Sequence, residues 1–451
     1  MLKTFRRGVH PMHSTGSGKL PTRAVPVEEY VSDTVVISMA MNIGAPATPC
    51  VKKGDHVDIG QVIGTPNGFM SVPVHASVSG EVIAVDKIHH TGPEPVMAVT
   101  IKNDFADTWT ELHPMGNVEI VEPQKVVPAI REAGIVGMGG ASFPTHVKLS
   151  LPEGSTCDTI IVNGAECETH LTADHRLMLE NSERVIDGLR AVMRALNVER
   201  GIIGIENNKP DAIEAMQKAA AGRKGVQVQP LKTKYPQGGE KQLIEAITGR
   251  QVPSGGLPIA AHVVVLNVAT CAAIADAVID GKPLVSRITT VTGCVNHPKN
   301  LRLRIGTLVS DAVGACGGFS LEPGKIILGG VMTGICLPNV ELPILKATNG
   351  IVVLNEKDAS SAEESPCIRC GRCVFACPIG LNPYQIKMAA DAGDFEKAQK
   401  LNVNDCILCG SCAYMCPSRR WLTPSFKIAK DYLAAQARAA RAAAQQGGNK
   451  A

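Results

Sequence analysis

Eight of the chain's fifteen cysteines fall into two copies of one spacing near the C-terminus, Cys367-Ile-Arg-Cys370-Gly-Arg-Cys373-Val-Phe-Ala-Cys377-Pro378 and Cys406-Ile-Leu-Cys409-Gly-Ser-Cys412-Ala-Tyr-Met-Cys416-Pro417. Each reads C-x2-C-x2-C-x3-C-P, the spacing that holds [4Fe-4S] clusters in bacterial two-cluster electron carriers, where the fourth cysteine of each run ligates the other cluster. Three thiolates two residues apart wrap one face of a cube, and the fourth, followed by proline, is turned away. The expected ligand sets are therefore Cys367, Cys370, Cys373 and Cys416 for one cluster, and Cys406, Cys409, Cys412 and Cys377 for the other. A zinc site needs only four thiolates and has no use for a third and fourth so close by. A disulfide framework belongs to short secreted chains. Two adjacent clusters make an electron wire.

With 451 residues the chain has room for about three domains. It is 45% hydrophobic and 19% charged, hence globular, and its net charge of +3 is too small to point to nucleic acid. Only 3% of it is aromatic, which leaves no stacking platform for single strands. The start, MLKTFRRGVHPMHSTGSGKLP, is basic but no apolar core follows it, so it does not read as a secretion signal. No apolar run reaches the roughly 18 residues of a membrane span. The nearest approach, His262-VVVLNVATCAAIADAVID, is interrupted by Asn267, Thr270, Asp276 and Asp280 and reads as a strand followed by a helix. The sequence thus predicts a soluble chain in a reducing compartment that works at a membrane only as a docked subunit.

The fold class expected is multidomain α/β. Residues 1–115 hold a β-rich module whose phrases Val51-KKGDHVDIGQVIG and Val74-HASVSGEVIAVD resemble the barrel-sandwich hammerhead of biotinyl and lipoyl carrier domains. Carrier chemistry needs an exposed lysine at the hairpin between its halves. The hairpin here, Thr65-PNGFMSVPV, has none, so a structural barrel used for docking is expected. Residues 120–285 alternate helix and strand, which implies a mostly parallel sheet covered on both faces, with ligands at the C-terminal ends of its strands. One helical face is read from Val185, Ile186, Leu189, Val192, Met193 and Leu196. Residues 286–355 form a smaller α+β unit, the acidic stretch Asn355-EKDASSAEESP is read as a linker, and 360–425 is the helical two-cluster domain. From 426 to 451 an alanine-rich basic helix, disordered from Gly447, is expected; such a helix lies on lipid, on an acidic partner, or simply in solvent. The seven other cysteines, Cys50, Cys157, Cys167, Cys271, Cys294, Cys316 and Cys336, lack ligand spacing and are expected as small buried hydrophobes, with Cys167 the exception because it stands between two acids.

A second site is announced by Gly137-Met-Gly-Gly-Ala-Ser-Phe-Pro-Thr-His-Val-Lys148. Its glycines, Gly137, Gly139 and Gly140, let backbone N–H groups approach a phosphate, and Lys148 can neutralise it. The loop is neither the dinucleotide fingerprint, because it precedes a strand, nor a P-loop, because Gly-Lys-Ser/Thr is missing. By itself it is also what any glycine-punctuated loop looks like. Further on come Asn163-Gly-Ala-Glu166-Cys-Glu168, Tyr235-Pro-Gln-Gly238-Gly239-Glu240-Lys241, and a strand ending near Asn267.

At these residues the chain resembles the flavin-bearing, NADH-oxidising subunit of respiratory complex I, with its "G-R-G-G-A-G-F-P-T-G-x-K", "N-A-D-E-S-E", "C-G-E-E" and "N-N-V" phrases, and the unit that follows is similar to that family's ubiquitin-like (SLBB) domain. The "F-x-x-G-V-H-P" and "Y-P-Q-G-G-E-K-Q-L" phrases with the paired cysteine runs narrow this further. The whole chain resembles the C subunits of the Rnf complex, the membrane-bound, ion-translocating ferredoxin:NAD oxidoreductase. The resemblance implies that Gly137, Gly139, Gly140 and Lys148 hold FMN and its phosphate. It implies that Asn163 and Glu166 lie along the flavin ring, with Glu168 nearby, that Gly239, Glu240 and Asn267 complete the pocket, and that Phe143 stacks the nicotinamide dinucleotide. Ala165, Lys241, Leu266 and Leu151 depart from the family pattern and weaken the expected nicotinamide grip more than the flavin grip.

The resemblance further implies NAD(H) as substrate, and as partners the membrane subunits and the ferredoxin-like B subunit, at the cytoplasmic face of the bacterial inner membrane. Nicotinamide moves two electrons together and clusters accept one at a time, so a flavin must stand between them; no side chain is required as a strong acid or base. Two other readings compete. One is a cluster-bearing scaffold whose flavin fold has lost its ligand, and the other is the diaphorase subunit of a soluble hydrogenase or dehydrogenase.

Overall fold

The computed structural model describes residues 2–11, 18–92, 94–360 and 363–448. At its centre is a four-stranded sheet in the order Val226–Leu231, Gly201–Glu206, Thr159–Gly164, Val263–Asn267, every neighbouring pair parallel. The Gly201–Glu206 strand is buried at every position and the Thr159–Gly164 and Val263–Asn267 strands nearly so, as strands covered on both faces must be. Helices Ser182–Ala195 and Val268–Ile279 lie against it. The first buries Val185, Ile186, Leu189, Val192 and Met193, the face read from the sequence.

The barrel module consists of two small antiparallel sheets. One contains Thr34–Ser38, Val96–Asn103, Gly80–Ile88 and His56–Val57; the other contains Thr48–Pro49, Val62–Thr65 and Val74–His75. The lysine-free hairpin between Val62–Thr65 and Val74–His75 docks on the central domain. The Phe69 carbonyl accepts from His146 Nε2 at 2.9 Å, and the Phe69 ring meets the His146 ring edge-on at 5.7 Å.

The unit expected over 1–115 is divided in space. Residues 2–11 leave the barrel for the central domain, bridging Lys3 to Leu231 and Val9 to Tyr235. Strand Val27–Tyr30 pairs in parallel with Lys299–Arg304 of the third unit. It thereby becomes the edge of a six-stranded sheet that continues through Ser286–Gly293, Gly350–Asn355, Pro323–Leu328 and Ile335–Cys336. A backbone edge offers the same hydrogen bonds to any extended segment, so pairing across units is invisible to local pattern.

The last unit is helical. Its core of Ile386, Ala389, Ala398, Val403, Phe426 and Ala429 is closed by the long helix Leu422–Gly448. That helix runs through Gly447 and Gly448, past the expected break, and residues 449–451 lie outside the described residues. A short helix, Glu356–Ala359, occupies the start of the expected linker, whose residues 361–362 also lie outside the described residues. Among the described residues no helix is long and apolar enough to cross a membrane. Of the scattered cysteines, Cys271 and Cys316 are buried as expected, whereas Cys50 and Cys336 are exposed.

Candidate functional site: two thiol cages beside a flavin-type mouth

The two cysteine runs fold as near copies. Between the first and second thiols of each run stands a residue in the left-handed region, Arg369 at φ 54° or Leu408 at φ 53°. Each short helix, Arg372–Ala376 and Ser411–Tyr414, then starts after a glycine with φ 74° or 77°, Gly371 or Gly410, where a side chain would be strained. The repeated turn gathers three thiols and sends the fourth across. Cys367, Cys370, Cys373 and Cys416 line one cavity, with Tyr384 and Leu422. Cys377, Cys406, Cys409 and Cys412 line another, with Leu381 and Phe426. The fold thus gathers the eight thiols into two groups of four, each holding three thiols of one run and the fourth of the other.

Among the described residues no three His, Cys, Asp or Glu side chains converge tightly enough for a single metal ion. Thiols that instead surround a cavity suit a cube whose irons stand between the sulfurs. Backbone N–H groups already point at the sulfurs, Leu381 to Cys377 at 3.3 Å, Leu408 to Cys406 at 3.4 Å and Arg420 to Cys416 at 3.5 Å, and such bonds tune cluster potential. Burial pushes the thiols of Cys373, Cys406, Cys409 and Cys412 up, Cys406 to about 11. As free thiols they carry protons that iron must displace.

The second site lies at the C-terminal edge of the parallel sheet. Asn267 ends its strand in register with Asn163, the last residue but one of the adjacent strand. Asn267 caps the helix Val268–Ile279, accepting from Ala269 N at 2.8 Å, and donates to Asp174 Oδ2 at 2.7 Å. Asn163 Nδ2 donates to the Gly238 carbonyl at 2.8 Å. Over them folds the glycine loop, closed by Gly137 N on the Phe143 carbonyl at 2.8 Å and tied to the helix by Met138 N on Thr270 Oγ1 at 2.9 Å. Phe143 itself is half-buried. A Cβ on Gly139 would sit 3.3 Å from Asn267 Cβ, so the loop backbone lies directly on that side chain, while Gly140 faces open space.

Helices Glu240–Thr248, which starts after Gly239, and Val268–Ile279 both begin at this mouth, and helix N-termini favour anions. Lys148 Nζ reaches the mouth, held by Glu240 Oε1 at 2.8 Å and the Val265 carbonyl at 3.0 Å. Backbone N–H groups, two helix starts and a lysine are a donor set that fits a phosphate-bearing flavin. Gly137, Gly139, Gly140, Lys148, Asn163, Gly239, Glu240 and Asn267 come together there.

Glu166 and Glu168, expected beside the ring, spend their carboxylates on partners within the fold. Glu166, at φ 45°, turns its carboxylate inward, where it accepts from Asp174 N at 2.7 Å and His175 N at 3.4 Å and pairs with Lys19 Nζ at 3.6 Å. It satisfies the first N–H groups of the helix Ala173–Glu180, which any helix start leaves without partners. Burial and the neighbouring Glu166 push the Asp174 carboxyl up to about 6. Glu168 accepts from Met332 N at 3.0 Å and from Thr333 Oγ1, both on the third unit, and burial raises its carboxyl.

Tyr235, whose role sequence reasoning missed, and Cys167 lie between the two sites. Tyr235 pairs its backbone with Val9 and donates its hydroxyl to the Cys409 carbonyl at 2.8 Å. Burial holds its phenol well above the usual range. Cys167, the exempted cysteine, accepts from Gly238 N at 3.3 Å, and burial pushes its thiol up. With Val9, Ala376, Met332 and Cys409 these two residues make one apolar cluster. Asp405 adds a second tie, accepting from Ser254 Oγ at 2.5 Å and Gly255 N at 3.0 Å, and Gly8 N on the Ala376 carbonyl at 3.2 Å a third. The Tyr235 phrase was visible as a motif, but nothing local marked its hydroxyl as a link between domains.

Residues 3–106 match the RnfC barrel sandwich hybrid domain, 130–276 the Nuo51 FMN-binding domain, 288–335 the SLBB domain and 360–418 the 4Fe-4S dicluster domain. The chain is 48% identical over 438 residues to the C subunit of the Na(+)-translocating ferredoxin:NAD(+) oxidoreductase complex of Acetobacterium woodii, covering 96% of this chain and 98% of that protein. It belongs to the RnfC family. The proton-translocating counterpart of Clostridium ljungdahlii is 48% identical over 89% of this chain and 87% of that one. The C subunit of the ion-translocating oxidoreductase complex of Rhodobacter capsulatus is 42% identical over 95% and 83%. A solved NAD+-reducing [NiFe]-hydrogenase, in its H2-reduced state, is similar at TM-score 0.47 and 18% identity over 67% of this chain; the chain spans 62% of that protein. The FMN-binding match encloses every residue of the mouth, from Gly137 to Asn267, and the dicluster match encloses all eight cage thiols. This RnfC-family chain therefore carries FMN and two [4Fe-4S] clusters as its cofactors.

Proposed function

We propose that this chain is the peripheral subunit of an ion-translocating ferredoxin:NAD+ oxidoreductase that exchanges hydride with NAD(H) and relays single electrons. When bound, FMN supplies the conversion between a two-electron and a one-electron carrier, and the clusters supply the one-electron path. The chain's own residues do the holding. Gly137, Gly139 and Gly140 present backbone to the phosphate, Lys148 neutralises it on release from Glu240, and Asn163, Gly239, Glu240 and Asn267 line the ring's side of the mouth. Phe143, at the close of the glycine loop, is the residue proposed to stack the dinucleotide. The partners proposed are the membrane subunits and the ferredoxin-like B subunit, at the cytoplasmic face of the inner membrane.

The observation that carries this reading is Tyr235. Its chain segment leads directly into Gly238 at the flavin-type mouth, and its hydroxyl holds the Cys409 carbonyl at 2.8 Å. One thiol cage is thus anchored to the mouth's own wall. The test is an anaerobic NADH titration of the full chain with FMN and both clusters in place, following flavin and cluster absorbance together. Bleaching of both is expected. Clusters that dithionite reduces but NADH leaves untouched would instead support the scaffold reading.

A further inference from the structure

We propose that the cavity where the barrel, the central domain and the third unit meet is a binding site for a small organic oxyanion, a carboxylate or phosphate carried on a compact apolar body. It lies behind the flavin-type mouth, sharing Met138 of the glycine loop as a wall, and electron relay makes no use of it. The cavity holds about 220 Å³, on the order of fifteen times what one ordered water needs. Its walls come from three units. Helix Val268–Ile279 gives a side of Ala269, Ala272 and Ala273, and strands Ser286–Gly293 and Lys299–Arg304 give Arg287, Arg302 and Arg304. Trp109, bridged to Ile59 of the barrel, adds a flat apolar wall. Junctions of this kind are where proteins hold small ligands.

Arg287 is what makes this cavity a site. The residue is only 2% exposed. Its Nε donates to the Ile288 carbonyl at 3.0 Å, and its Nη1 to the Lys346 carbonyl at 3.0 Å and, more weakly, to the Met138 carbonyl at 3.4 Å. Its Nη2 donates to nothing among the described residues, yet it is not among the polar atoms sealed inside the fold without a partner. Met138 and Asp174, which flank the guanidinium by contact and by charge, line the same cavity, so the free nitrogen opens into it. No carboxylate among the described residues comes within ion-pair distance, and the Asp174 charge supports the guanidinium only from farther off. Burial pulls it down to about 10, so it is still charged at neutral pH. A buried charge without a counter-ion is costly. The missing partner is an anion.

The rest of the lining sets the ligand's class. Four cations, Lys282, Arg287, Arg302 and Arg304, stand against two carboxylates, Asp174 and Asp276. Both carboxylates are engaged, Asp276 with Arg184 at 3.7 Å and Asp174 with the Asn267 amide at 2.7 Å. Arg302 and Arg304 have partners of their own in Glu29 at 2.7 Å and Asp107 at 3.1 Å, while Lys282 stands 5.9 Å from the centre of the Trp109 ring. A cationic ligand would meet an excess of like charge, and a neutral apolar one would leave Arg287 unpaired. An oxyanion accepts from Arg287 Nη2, a charge-assisted bond, and its body rests between the three alanines and Trp109.

The test is isothermal titration calorimetry of the full chain, both clusters in place and FMN saturating so that the mouth is filled, with phenyl phosphate and, separately, benzoate. At least one of them should bind one per chain with Kd of about 1 mM or tighter, and whichever binds names the head group as phosphate or carboxylate. Neutral benzyl alcohol should bind at least tenfold more weakly. Arg287→Gln should weaken the anion at least tenfold. Ala273→Leu keeps every charge and fills the cavity, and should do the same, so the proposal stays testable if the arginine variant fails to fold. Lys148→Gln, at the mouth, should leave the affinity within about twofold. Binding of neither anion would overturn the site. So would an affinity that Ala273→Leu leaves unchanged, or one that Lys148→Gln abolishes, which would place the anion in the mouth. No electron moves in the assay, so its result is independent of whether NADH reduces the clusters.

Discussion

Removing only the hydroxyl of Tyr235 should loosen the thiol cage nearest the flavin-type mouth without unfolding either domain. The ring is 2% exposed and packs with Val9, Ala376 and Met332, so Tyr235→Phe keeps its volume and contacts. What is lost is one neutral hydrogen bond to the Cys409 carbonyl at 2.8 Å. Its net worth is about 1 kcal/mol, rising toward about 3 kcal/mol where the carbonyl is left dry. Since Asp405 with Ser254 and Gly255, and Gly8 with Ala376, still hold the two domains together, the domain stays docked but opens more often. At about 1.4 kcal/mol per tenfold, the open population should rise roughly 5- to 150-fold. Amide hydrogen exchange on the cluster-loaded chain reads this directly. Protection across 405–412 should fall by about 1–3 kcal/mol, while amides of Ile160 to Val162 in the central sheet keep theirs. Equal protection at 405–412, or a uniform loss reaching the sheet, would show that the hydroxyl is not the local latch described here.

Other consequences follow from the same geometry. Cys416→Ser should remove the cluster shared with Cys367, Cys370 and Cys373, halving bound iron, and electron paramagnetic resonance should show the remaining cluster at the Cys406 cage; loss of that one instead would refute the crossed ligand sets. Gly139→Val places a branched side chain where a Cβ already lies 3.3 Å from Asn267, and should weaken FMN at least tenfold in a fluorescence titration with far-UV circular dichroism unchanged. Glu166→Gln should lower unfolding free energy by roughly 2–4 kcal/mol, because it breaks the buried pair with Lys19, and leave FMN affinity within about threefold; tenfold weaker FMN at full stability would return Glu166 to the ring. Asp174, with a carboxyl raised to about 6 by burial, bears a charge that costs stability fully above pH 6 and not at all once it is protonated in both folded and unfolded chains, below about pH 4. Asp174→Asn should therefore exceed the wild type in urea unfolding by at most about 3 kcal/mol above pH 6, with the gain vanishing toward pH 4. A gain that grows as pH falls would mean that the group is stabilised as a carboxylate.

What the sequence determined alone is what short-range spacing encodes. Two runs of C-x2-C-x2-C-x3-C-P suffice for the crossed cages, because the turn that gathers three thiols and expels the fourth is made within a dozen residues, by Gly371 or Gly410 and the left-handed residue before it. Alternating apolar strands and amphipathic helices were enough for the parallel sheet, and the order of glycine loop, Asn163 and Asn267 for the mouth at its C-terminal edge. Tertiary structure decided the rest. Glu166 and Glu168 stand in the motif beside Asn163, yet the chain turns sharply after the strand ends at Gly164, and a helix start and the 332–333 loop offer their carboxylates better-paired, drier places than an open mouth does. Residues 2–11 and 27–30 left the barrel because unpaired strand edges elsewhere accept any extended segment. Tyr235 became a link between domains only when a carbonyl 174 positions away came within reach of its hydroxyl. Partners so distant in sequence leave no periodicity to read, since their pairing is settled by the packing of whole domains.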